Sequence, residues 1–239
     1  MKAMKGLVVR DRQPRPRRKC SSRFASLADL FALANAMSFA ARRGTRLTAH
    51  LTVYWKDHAA FREKGWQKLD EQLIRLARAF LERQGIAFVY AYVRENVQGR
   101  GPHTHYVIQV PRDRWHKLVP ALEQHLYDVF GFSPRESGRP VALKITGNAF
   151  GSRGSQNHEQ NAGLARYLSK TIHPREIYLD RPMAAYLGIE PKPHAAVHTR
   201  RVSSSENIGP AARALAGWHE IRTPEQLRAF LNPSSSTIS

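Results

Sequence analysis

Hydrophobic positions along this chain change their period several times, and each change marks an element. Between Trp66 and Gln84 the residues Trp66, Leu69, Leu73, Leu76, Ala77 and Phe80 recur at spacings of three and four. That spacing predicts an amphipathic helix, closed by Gly85. Trp115 to Phe130 repeats the pattern with Leu118, Leu122, Leu126 and Val129 on one face. Ser26 to Arg43 is rich in alanine and leucine, with a broad apolar face; Arg42 and Arg43 fall at its negative end, before Gly44. Elsewhere the period is two. Leu47, Ala49, Leu51 and Val53 share one face of a predicted strand, and Thr48, His50, Thr52 and Tyr54 share the other. Ile86 to Val93 is apolar on both faces, as a central strand should be. Val141 to Thr146 alternates as another strand. Asn161 to Lys170 predicts a helix stopped near Pro174, and Thr223-Pro224-Glu225-Gln226 a capped start for a short helix to Leu231.

The stretch Gly101-Pro102-His103-Thr104-His105-Tyr106-Val107-Ile108-Gln109-Val110 carries the candidate chemistry. Its β-branched and aromatic residues predict a strand. Alternation puts His103 and His105 on one face, half of a metal site. Glu95 lies eight residues before His103, at the end of the preceding strand-like run. A hairpin turning through Asn96 to Pro102 would bring its carboxylate near both imidazoles. Two nitrogens and a carboxylate suit manganese, magnesium or zinc. A closed zinc site in a binding module needs four ligands, which disfavours that alternative.

Composition narrows the partner. The 239 residues carry a net charge of +19, with 38 Lys plus Arg against 19 Asp plus Glu. Such an imbalance favours a polyanion, either nucleic acid or an anionic membrane surface. No apolar run is long enough for a transmembrane helix. Cys20 is the single cysteine, so no intramolecular disulfide forms and a reducing, cytoplasmic setting is the default. The Arg-rich, acid-poor start also fits an organellar transit peptide. Residues 1–23 hold nine Lys or Arg against Asp11, with Pro14 and Pro16 opposing any helix. They read as a disordered arm, either grasping DNA or merely solvated.

Taken together, a strand ending in Glu95, the His103-Thr104-His105 strand, a helix, a strand and Tyr167-Leu168-Ser169-Lys170 on a further helix resemble the HUH endonucleases. The order, tyrosine after histidines, resembles the single-tyrosine rolling-circle replication initiators. The resemblance covers about half the chain, roughly Leu47 to Lys170. Thr104 departs from it, standing where the family usually has a bulky hydrophobic residue. The resemblance implies an α+β fold of the ferredoxin or RRM-like kind: an antiparallel sheet with helices on one face and the site on its central strands. It implies a divalent ion (Mg2+ or Mn2+) on His103, His105 and Glu95, Tyr167 as nucleophile and Lys170 as its charge-stabilising partner. The implied activity is site-specific nicking and rejoining of single-stranded DNA at a plasmid or phage replication origin, through a 5′-phosphotyrosine. A transposase or mobilisation enzyme would use the same chemistry; a basic DNA-binding protein without cleavage is the alternative of a different class. Position 171 is Thr, so one tyrosine is expected on the helix, with Tyr178 and Tyr186 beyond Pro174.

Three segments follow: the arm 1–23, a nuclease domain 24–174 that includes the first helix, and a mostly helical, partly disordered extension 175–239. Gly147 to Gln160, with Gly147, Gly151, Gly154 and Arg153, reads as a polar loop before the tyrosine helix, an ordinary connector or a contact to the DNA backbone. Leu168 stands where a phosphate-binding GxxxxGK motif would need glycine, so a motor is absent and helicase and polymerase functions are expected from the host.

Overall fold

The computed structural model describes residues 22–58, 60–130, 143–146, 158–198 and 200–233. The basic arm, apart from Ser22 and Arg23, and the glycine-rich loop up to Asn157 lie outside the described residues, as do Val141, Ala142 and the last six residues.

In chain order the elements are α1 (Leu27–Arg42), β1 (Ala49–Tyr54), α2 (Phe61–Lys64), α3 (Trp66–Arg83), β2 (Tyr90–Val97) and β3 (Gly101–Ile108). They continue with α4 (Trp115–Phe130), β4 (Leu143–Thr146), α5 (His158–Leu168), β5 (Ile177–Tyr178), β6 (Arg181–Pro182) and α6 (Met183–Leu187). β7 (Val202–Ser204), α7 (Pro210–Leu215) and α8 (Pro224–Leu231) complete the series. α1 begins at a capping box: Asp29 N–H donates to Ser26 Oγ at 3.2 Å and Ser26 N–H donates to the Asp29 carboxylate at 2.9 Å. α8 begins at the same device, built by Thr223 and Gln226, where the sequence places it.

Five strands form one sheet in the order β4-β1-β3-β2-β7, and each neighbouring pair is antiparallel. β3 is therefore the middle strand, flanked by β1 and β2. The β2–β3 hairpin turns more tightly than expected, with strand pairing already between Val97 and Gly101. β2 also starts later than the apolar run, at Tyr90 rather than Ile86.

Helices cover both faces of this sheet, not one as expected. One core packs α3 and α4 against Ala49, Leu51, Val53, Tyr90, Tyr92, Tyr106 and Ile108. The other packs α1, α5, α6 and α8 against Val89, Ala91, Val93, Val107 and Val202. The physical reason is in β2 and β3, whose residues are buried on alternate and intervening positions alike. A sheet that is apolar on both sides needs two layers of helix.

The stretch after Pro174, expected as an extension, packs into the same body over Ile177 to Leu231. β7 pairs with the outer edge of β2, and Leu227, Phe230 and Leu231 of α8 share the core of α1. Asn35 in α1 ties the two together: it donates to Phe31 O and Ile221 O, each at 2.9 Å, and accepts from Ile221 N–H at 2.7 Å. Among the described residues, no helix is long and apolar enough to cross a membrane.

Candidate metal centre

Pairing register assembles the site. Glu95 on β2 stands directly across from His103 on β3, and Val93 from His105. On the other side of β3, Thr52 faces His105 and Tyr54 faces His103. Glu95, His103, His105, Thr52 and Tyr54 therefore share the sheet face that α5 and α1 cover. Glu95 is fully buried, and His103 and His105 are each 2% exposed. Their ligand atoms all lie within 4.8 Å of one another.

Both imidazoles are held from behind. His103 Nδ1 lies 3.0 Å from the Gly101 carbonyl, which can only accept, so Nδ1 carries the proton. Its Nε2 points at Glu95 Oε2, 3.2 Å away. His105 Nδ1 lies 3.0 Å from Thr52 Oγ and 3.1 Å from His50 Nε2, and its own Nε2 faces Glu95 Oε1 at 3.5 Å. Glu95 Oε1 and His105 Nε2 are buried and have no hydrogen-bond partner among the described residues. Two inward imidazole nitrogens beside a carboxylate, each ring fixed at its far nitrogen, are a donor set a divalent cation fits once it displaces any proton held between them. Glu95, His103 and His105 are the residues that could hold one.

Electrostatics agree with that reading. Burial raises the Glu95 carboxyl, but the imidazoles of His103 and His105 and the charge of Lys170 outweigh it and hold it well below the usual carboxylate range. Burial pushes His105 down to about 4, so its ring is neutral at pH 7 and free to bind metal.

The sequence placed Tyr167 and Lys170 on one helix. α5 instead ends at Leu168, and Lys170 sits in a 3-10 turn over Ser169–Thr171. Residues three apart nearly eclipse in such a turn, so the two side chains still meet. Lys170 Nζ lies 3.8 Å from the centre of the Tyr167 ring and 3.3 Å from Glu95 Oε2. Tyr167 is 44% exposed, and its ring meets His105 edge-on at 5.5 Å and His50 at 5.8 Å. All five sequence-derived site residues are thus brought together. Tyr178 and Tyr186 lie in β5 and α6, pack on each other at 5.1 Å, and Tyr178 donates to Glu225.

Four further residues belong to the site. His50 and Thr52 orient His105, and Tyr54 stacks on His103 at 5.3 Å between ring centres. These lie on the polar face of β1, so the alternation at 48–54 was the signal for them. His194 had no such signal. The segment carrying it is fastened to β2 by Ala195 N–H donating to Asn96 O, and to the end of the tyrosine turn by Lys192 N–H donating to Lys170 O at 3.0 Å. Both His194 ring nitrogens are buried with no partner among the described residues, and burial pushes the ring down to about 4.

Comparison with family models, with curated proteins and with solved structures returned no match to this chain. What the site can do is therefore argued from its geometry.

Proposed function

We propose that this protein nicks and rejoins single-stranded DNA, with Tyr167 as the nucleophile beside a divalent cation on Glu95, His103 and His105. The observation that carries the reading is Lys170, whose ammonium touches both the exposed Tyr167 ring and the buried Glu95 carboxylate. A tyrosine used only for packing does not call for that link. The sheet order β4-β1-β3-β2, with α3 and α4 as crossovers, supports the ferredoxin-like nuclease fold that the motif order resembles.

In the proposed reaction the Tyr167 oxygen attacks phosphorus. An O–P bond to tyrosine forms as the bond to the 3′ oxygen breaks; the phenol proton passes to water, and the 3′ oxygen leaves as a hydroxyl after taking up a proton. When bound, a cation would neutralise charge on the phosphate; with two imidazoles in the set, Mn2+ suits it better than Mg2+. Lys170 favours the phenolate and draws phosphate towards the ring. Thr52 and His50 keep the His105 ring turned so that Nε2 faces Glu95. The same 3′-hydroxyl can attack the phosphotyrosine and restore the strand. Initiating replication at a plasmid or phage origin, with host helicase and polymerase, is the setting this chemistry serves; transposition and mobilisation use the same step.

The test is a labelled single strand incubated with Mn2+ and then denatured. The natural chain should retain covalently bound DNA, and Tyr167→Phe should bind DNA without retaining it. An adduct in the Phe variant would move the nucleophile elsewhere. Binding without any adduct in the natural chain would favour a basic DNA-binding protein.

A further inference from the structure

The residues of β2 and β3 that alternate with the ligands point to the other side of the sheet, and they are not aliphatic. Arg94 precedes Glu95, Thr104 lies between the two histidines, and Tyr106 follows His105. All three converge on Asp70 of α3. Arg94 Nε donates to Asp70 Oδ2 at 2.7 Å, and a second guanidinium nitrogen donates to the same oxygen. Tyr106 Oη donates to Asp70 Oδ1. Thr104 Oγ accepts from Trp55 Nε1 at 2.9 Å, and its hydroxyl lies close enough to Asp70 to help draw that carboxyl down against the effect of burial. Asp70, Thr104, Tyr106 and Trp55 are completely buried.

Stability alone does not account for such a cluster. A buried ion pair is commonly no better than well-packed apolar side chains of the same volume. What directional bonds add here is register. Arg94 stands directly across from Thr104, and the next pair along is Glu95 with His103. A slip of one residue would turn His103 and His105 towards α3. The hydrophobic pattern opposes that slip only weakly, because both strands are buried on both faces. Asp70 opposes it strongly: it holds β2 through Arg94 and β3 through Tyr106, and each bond has one geometry. Trp55, just past β1, extends the hold to the third strand of the site. Thr104, the departure from the resembled motif, is thereby explained. Its hydroxyl receives the Trp55 indole N–H, which no aliphatic side chain in that position could do.

We propose that Asp70, Arg94, Thr104 and Tyr106 are positioning residues for the metal centre, fixing from the reverse face the spacing of Glu95, His103 and His105. The inference rests on the metal reading of those three residues. Its test uses the full chain stripped with chelator and measures both the Mn2+ dissociation constant by calorimetry and the metal-free melting temperature. Thr104→Val and Tyr106→Phe should each weaken Mn2+ binding about tenfold, as loss of outer-sphere support typically does. Thr104→Ser, which keeps the hydroxyl, should stay within about twofold of the natural chain. Tyr106→Phe removes a single oxygen, so it provides the measurement if Thr104→Val does not fold. Variants that melt earlier but bind Mn2+ with the natural constant would overturn the proposal and reduce the cluster to a folding element. Mn2+ binding by the natural chain that His103→Ala leaves unchanged would instead remove the metal centre itself, and the positioning role with it.

Discussion

Lys170→Met should tighten divalent-cation binding while abolishing cleavage. The ammonium lies 3.3 Å from Glu95 Oε2, one of the two carboxylate oxygens that could hold an ion. An ion held about 2.1 Å from that oxygen sits no more than roughly 5.4 Å from the ammonium. With an effective dielectric of about 20, charges of two and one at that separation repel by about 6 kcal/mol. That figure applies to a fixed side chain; the Lys170 side chain is 12% exposed and can swing its charge towards water, which relieves much of it. The swing sacrifices the contact with Glu95, so part of the penalty stays. A residual of roughly 1.5–3 kcal/mol corresponds to about a ten- to hundredfold lower dissociation constant in the variant. Methionine keeps the length and apolar stem, which isolates the charge. Calorimetric titration of Mn2+ into both proteins measures the effect, with the cleavage assay alongside. Equal or weaker Mn2+ binding by Lys170→Met would refute the idea that lysine and metal compete for one carboxylate.

Acid should destabilise the metal-free chain: His105 is held at about 4 against an ordinary 6.5, so its contribution is intact above pH 6.5 and lost as pH falls towards 4. The loss is about 3 kcal/mol, read from urea midpoints in chelator, and His194 acts in the same direction; a flat profile across that window would contradict a buried neutral ring. Asn35→Ala should cost about 1–3 kcal/mol, because it strips partners from part-buried backbone groups at Ile221 and Phe31. A change under about 0.5 kcal/mol in the same unfolding assay would mean that Asn35 does little to fasten the C-terminal stretch.

α3 and α4 were legible because an amphipathic stripe and a following glycine are both local signals. The start of β2 was not, since Ile86 to Val89 is as apolar as a strand without pairing as one. β7 is three residues long, too short to show a period, and only its pairing with Ala91, Tyr92 and Val93 defines it. The second helical layer was half visible: a run apolar on both faces already implies cover on both sides, but α1 and α8 do not name the face they cover.

The site divides in the same way. Glu95, His103 and His105 were readable because alternation along two strands of one hairpin is a short-range property. His50, Thr52 and Tyr54 shared a face that sequence could see, but the β1–β3 register that aims them at the histidines is long-range. His194 and Arg201 could not be read at all. Basic residues in a tail are ordinarily solvated, whereas here both are buried, and Arg201 spends its guanidinium on the carbonyls of Arg94 and Ser22. Thr104 shows the limit most plainly. Along the chain it is a polar residue in an apolar place. Its reason lies in the Trp55 indole just past β1, forty-nine residues earlier, and no pattern within β3 points there.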